Sequence, residues 1–108
     1  MATDKTEKAE LKRIGATPVK NSGRGLNKGD GILEPFLVDV KEYDKSFSVS
    51  RDNWAKLSTD AVQNGRRQPM FVLALGQEGQ TPVRVWVVAE NMGQEMLEAW
   101  REKYDSED

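Results

Sequence analysis

The chain has no cysteine and no histidine among its 108 residues. The first absence excludes disulfides, thiolate nucleophiles and zinc–thiolate sites. The second removes imidazole acid–base catalysis and histidine-ligated metals. Carboxylates, lysine and hydroxyls remain, so a bound metal should be a hard, oxygen-liganded ion such as Mg²⁺ or Mn²⁺. No run approaches the roughly 18 apolar residues of a membrane helix. The opening Met1-Ala2-Thr3-Asp4-Lys5 carries no apolar signal core, so no membrane partner and a cytoplasmic placement are expected. The length suits one domain over 1–108, with flexible ends at about 1–4 and 104–108.

The net charge of −2 conceals an uneven distribution. Residues 1–28 hold seven Lys/Arg against three acids, a balance of +4, whereas residues 90–108 hold two against seven, a balance of −5. The amino-terminal third can therefore present a basic face to a phosphate backbone, although ordinary charge scatter also produces such a bias.

Periodicity predicts the order α-β-β-β-α-β-β-α. A helix is expected over about 4–14, with Lys12 and Arg13 in its last turn and Gly15 as its stop. Glu7, Leu11 and Ile14 share one stripe of it, so Glu7 is expected on the inward face, a costly place for an unpaired carboxylate. A short strand over 17–21 leads to the loop Ser22-Gly23-Arg24-Gly25-Leu26-Asn27-Lys28-Gly29. That loop suits close approach to phosphates but lacks the spacing of a nucleotide-binding motif, so no nucleotide cofactor is expected. Strands at about 30–33 and 36–42 flank Glu34-Pro35 as a hairpin; a turn centred there makes Asp30 and Asp39 cross-strand partners, a pairing that a one-residue slip would spoil and that the sequence does not fix. Residues 45–49 alternate as an extension or edge of the sheet. Ser50 is expected to cap a helix over 51–64 with Trp54, Leu57, Ala61 and Val62 inward. Met70 to Leu75 reads as a strand buried on both faces and Val83 to Ala89 as another. Met92, Met96, Leu97, Trp100 and Tyr104 mark a last helix whose stripe is either core or a dimer surface.

Asp39 and Lys41, at i and i+2 of an apolar strand, point to the same face. An acid-x-Lys tripeptide alone means little, since roughly one or two are expected per hundred residues, and Glu10-Leu11-Lys12 is another. Context distinguishes Asp39-Val40-Lys41: it follows a hairpin that brings in Asp30 and a helix that turns Glu7 inward. The bland alternative is a half-exposed strand carrying a surface ion pair.

With Glu7, Lys28-Gly29-Asp30, Phe36-Leu37-Val38-Asp39-Val40-Lys41, Ser46-Phe47-Ser48-Val49 and Trp54, residues 7–75 resemble the PD-(D/E)xK, or restriction-endonuclease-like, nucleases. The nearest likeness is to the small phage-type Holliday junction resolvases. Gly29 stands where the motif has proline, and Asp39 where many relatives have glutamate.

The resemblance implies an α/β fold with a mixed central sheet flanked by helices, and a Mg²⁺-dependent structure-selective DNA endonuclease acting in DNA recombination. It implies Glu7, Asp30, Asp39 and Lys41 as catalytic residues. Asp30, Asp39, the Val40 carbonyl and Glu7 would hold Mg²⁺, with Mn²⁺ able to substitute. Ser22, Arg24, Lys28, Lys45, Ser46 and Ser48 are candidates for contacts to DNA phosphates. Two symmetric nicks in a branched substrate imply a homodimer, and a phage-encoded enzyme would work in the host cytoplasm. Alternatives are another small nicking or repair nuclease of the same superfamily, or an idle binding module on the same fold.

Overall fold

The computed structural model of the chain describes residues 4–19 and 30–105. Three helices and five strands run in the order α1 (Asp4–Ile14), β1 (Thr17–Pro18), β2 (Asp30–Leu33), β3 (Phe36–Tyr43), α2 (Arg51–Gln63), β4 (Gln68–Leu75), β5 (Val83–Val88) and α3 (Glu90–Asp105). The strands form one sheet in the order β1-β2-β3-β4-β5. The β3–β4 pair is parallel and the other three pairs are antiparallel, so this is an α/β fold with a mixed sheet. A parallel neighbour requires a crossover, and α2 supplies it between β3 and β4.

Alternation along β3 divides the core into two layers. Phe36, Val38 and Val40 join Met70 and Val72 beneath Leu11 of α1. Leu37 and its face-mates on β4, Phe71 and Leu73, meet Leu57 and Ala61 of α2 on the other side. Gly31 permits the first contact: a Cβ there would lie 2.7 Å from Leu11 Cδ2 and 3.2 Å from the Thr17 carbonyl oxygen. β4 is buried along both faces because it lies between β3 and β5 and beneath both layers.

Local chemistry sets the boundaries of α2. The Ser50 hydroxyl accepts from the Asn53 amide at 3.1 Å, while Asn53 Oδ1 accepts from the Ser50 amide at 2.9 Å, a reciprocal N-terminal cap. The helix ends at Asn64, and Gly65 then takes φ +88°, the left-handed conformation that glycine enters freely. Arg67 returns the loop to the β2–β3 turn by a bidentate pair with Glu34, at 2.9 and 2.8 Å, and also donates to the Asn64 carbonyl.

Two expectations need correction. Residues 45–49 form no strand: β3 ends at Tyr43, and Phe47 instead folds under the sheet, its ring 5.1 Å from that of Phe71. Val62 does not face the core but is 60% exposed, because it lies a helical step beyond the inward row of Leu57 and Ala61. The short strand expected over 17–21 extends over Thr17–Pro18, and residues 20 and 21 lie outside the described residues.

Candidate active site

Asp30 and Asp39 are register partners in the antiparallel β2–β3 ladder, four pairs from the Glu34-Pro35 turn to its open end. Directly opposed residues point to the same side of a sheet, so both carboxylates fall on the layer of Leu37 and α2. Lys41, two residues on, joins them with its Nζ 3.4 Å from Asp39 Oδ2. The β2 ladder ends at this pair while β3 continues to Tyr43 beside β4. Past Asp39, β3 therefore has no β2 partner among the described residues, and the Val40 carbonyl lies where the two strands part. The Val40 side chain is buried in the α1 layer.

Burial dominates the electrostatics. Asp30 is 7% exposed, and its carboxyl is pushed up to about 7, first by desolvation and then by the negative charges of Asp39 and Asp60, with Lys41 opposing. Asp39 is also raised by burial, partly offset by the adjacent Lys41 ammonium. Both acids therefore sit where a negative charge lacks sufficient compensation, a setting suited to receiving a cation.

Glu7 reaches this region from the other side. Its helix packs on the opposite sheet face through Leu11, and Glu7 is half-buried at the rim. It lines a cavity of about 750 Å³ together with Lys41, Glu42, Tyr43, Asp44, Lys45 and Ser46. Its charge acts on Asp30 more weakly than those of Asp39, Asp60 and Lys41. Lys45 and Ser46 thus share the cavity with Glu7 and Lys41. Ser48 is exposed, and its carbonyl accepts from Asn53 Nδ2 at 2.8 Å, which ties it to the start of α2. Ser22, Arg24 and Lys28 lie outside the described residues.

Sequence reasoning missed the contribution of α2. Asp60 raises both Asp30 and Asp39, and Lys56 lowers Asp39. The signal was the i, i+4 spacing of Lys56 and Asp60 beside the Leu57/Ala61 stripe, which puts both on one flank of the helix. It also missed the partner of Glu10, whose carboxylate takes two hydrogen bonds of 3.0 Å from Arg84 on β5. That pairing makes Glu10-Leu11-Lys12 a structural counterpart to Asp39-Val40-Lys41.

Among the described residues no three acidic side chains close into a metal cage by themselves. The donor set fits a hard divalent ion that keeps most of its waters, since Mg²⁺ is commonly held by one or two carboxylates. Compared with protein-family models, curated proteins and solved structures, the chain matches none. Among the described residues no helix is long and apolar enough to cross a membrane.

Proposed function

We propose that this chain is a Mg²⁺-dependent, structure-selective DNA endonuclease on a restriction-endonuclease-like core, acting as a Holliday junction resolvase. The observation that carries the reading is the cross-strand pairing of Asp30 with Asp39, with the Lys41 ammonium 3.4 Å from the Asp39 carboxylate. A buried and a half-buried acid, both of raised pKa and flanked by one cation, form an arrangement that a divalent ion would complete electrostatically.

Asp30 and Asp39 would hold the ion, with the Val40 carbonyl and Glu7, the latter directly or through water. An ion held there would supply a water of lowered pKa and offset the charge of the phosphate as the P–O bond to the leaving strand breaks. Lys41 would donate to the attacking water or to a non-bridging phosphate oxygen, from an ammonium held beside Asp39 at 3.4 Å. Lys45 and Ser46, which line the same cavity as Lys41, would receive the flanking phosphate. Asp60 adds negative charge from α2 and strengthens the need for a cation.

The test is cleavage of a synthetic four-way junction, a flap and a plain duplex in Mg²⁺, with Asp30→Asn and Lys41→Ala beside the wild type. Paired nicks in the junction, abolished by either substitution while junction binding persists, are the expected result. Preferred cutting of flap or duplex would reassign the chain to another nuclease of this superfamily. Binding without cleavage of any substrate would make it an idle module.

A further inference from the structure

We propose that Tyr43 is a stacking platform for an unpaired base of the DNA strand, seated beside the phosphate that Lys41 would hold. This deepens the nuclease reading and rests on it, narrowing the substrate to DNA with an unpaired nucleotide next to the cut.

Asp39, Lys41 and Tyr43 alternate along β3, so their side chains leave the sheet on one side. The register places them beside Phe71, Leu73 and Leu75 of β4, which belong to the layer of α2. Tyr43 lies about 6.6 Å beyond Lys41 along the strand, a separation that a phosphate and its own base can bridge.

The ring is held from behind. It stacks on Phe47 with centroids 5.5 Å apart and 26° between the planes. Phe47 meets Phe71 at 5.1 Å, and Trp54 meets Phe71 at 5.7 Å. Phe71 is 1% exposed, so a row of rings runs from the core outward and ends at Tyr43. The Tyr43 carbonyl accepts from the Gly76 amide at 3.0 Å, which pins the backbone that carries the ring. Tyr43 nevertheless remains 45% exposed, with one face packed on Phe47 and the other open. An aromatic ring already immobilised loses little further freedom on binding.

Tyr43 lines the cavity of about 750 Å³ that also contains Lys41, Lys45 and Ser46, a size within the usual range of small-molecule sites. The other exposed aromatics, Trp86, Trp100 and Tyr104, belong to β5 and α3 and do not line it. Charge decides what fits. Lys41 and Lys45 attract phosphates, but Glu7, Glu42 and Asp44 share the cavity wall and repel them. A base is uncharged, and its N–H groups can donate to carboxylates. The wall therefore suits a base turned inward with its flanking phosphates held at the two lysines. A paired base has both faces covered by its neighbours in the duplex, so only an unpaired one, at a branch point, a flap or in a single strand, can lie on Tyr43.

Binding in EDTA, where no strand is cut, tests the subsite apart from the chemistry. Fluorescence anisotropy compares a labelled single strand with the same sequence as a blunt duplex. Tyr43→Ala should weaken the single strand about fivefold or more, with duplex affinity and far-UV circular dichroism unchanged, and Tyr43→Phe should match the wild type. In the wild-type chain, iododeoxyuridine placed in a flap should photo-cross-link to Tyr43, and the same base paired in the duplex should not. Equal single-strand affinity for Tyr43→Ala and wild type, or a cross-link to other residues only, would overturn the platform, and junction cleavage would then leave the nuclease reading standing. Tyr43-dependent binding by a chain that cuts no substrate would remove the nuclease and retain the platform in a binding module. A chain that binds neither DNA would overturn both.

Discussion

Asp30 and Asp39 face each other across the open end of the β2–β3 hairpin, two carboxylates on one side of the sheet and both harder to ionise than in water. The folded chain therefore retains a proton on Asp30 up to about pH 7, whereas the unfolded chain releases it near 3.8. Where the folded state binds the extra proton, stability falls as pH rises. The metal-free protein should lose stability between about pH 4 and 7 through this group, on the order of 2–4 kcal/mol at most. Thermal unfolding in EDTA should accordingly give a Tm that declines over that range. Asp30→Asn should flatten the decline and exceed the wild type in Tm near pH 7.5, while cleaving no DNA.

Divalent metal should reverse the effect. An ion that binds the folded chain alone stabilises it by about 2.7 kcal/mol at a hundredfold excess over its dissociation constant. Mg²⁺ or Mn²⁺ should therefore raise the wild-type Tm at pH 7.5, and more than it raises that of Asp30→Asn. Sodium chloride at equal ionic strength separates site binding from general screening. An equal rise in both proteins would place the metal elsewhere.

The hairpin was legible in the sequence because Glu34-Pro35 sits midway between two apolar runs, whereas the register, which a one-residue slip would change, comes from the structure, where residues 30 and 39 pair. The Ser50 cap and the doubly buried β4 were legible for similarly local reasons. The flank of α2 that faces the acids was not, because it depends on the angle at which the helix crosses the sheet. Hence Asp60 escaped notice and Val62 was assigned to the wrong side. Residues 45–49 alternate like a strand, yet Phe47 gains more by packing on Phe71 and Trp54's layer than the segment would by pairing at an edge. In α3 the periodicity identified an apolar face correctly but carried no information about what lies opposite it.

Gly31 should be as sensitive as the acids although it has no chemistry of its own. It separates Asp30 from the rest of β2 and lies under Leu11, so any Cβ meets that side chain at 2.7 Å and the Thr17 carbonyl oxygen at 3.2 Å. The Leu11 methyl can yield, but the backbone oxygen yields less readily. Gly31→Val should cost about 1–3 kcal/mol by overpacking, and Leu11→Ala about 2–5 kcal/mol through the opposite defect, a cavity. Chemical denaturation measures both. Gly31→Val should also reduce cleavage by more than its loss of stability explains, because the strain falls on the residue next to Asp30.

Glu10 tests whether acid-limb stability can be separated from the site. Its carboxyl is held below the usual range, chiefly by the Arg84 guanidinium, so its sign is opposite to that of Asp30. A lowered carboxylate contributes stability that is present above its unfolded value of 4.5 and is lost as pH falls further. With Asp30 favouring acid and Glu10 opposing it, the metal-free chain should be most stable near pH 4–5, not at neutrality. Glu10→Gln should remove about 1 kcal/mol at pH 7, the figure being small because the Arg84 side chain is partly exposed to solvent. It should also shallow the fall in Tm below pH 4.5 while leaving the decline between pH 4 and 7 and the rate of DNA cleavage unchanged. A change in cleavage would show that α1 transmits the Glu10–Arg84 pairing to Glu7, one helical turn away, and would make Glu10 a positioning residue for the acidic site.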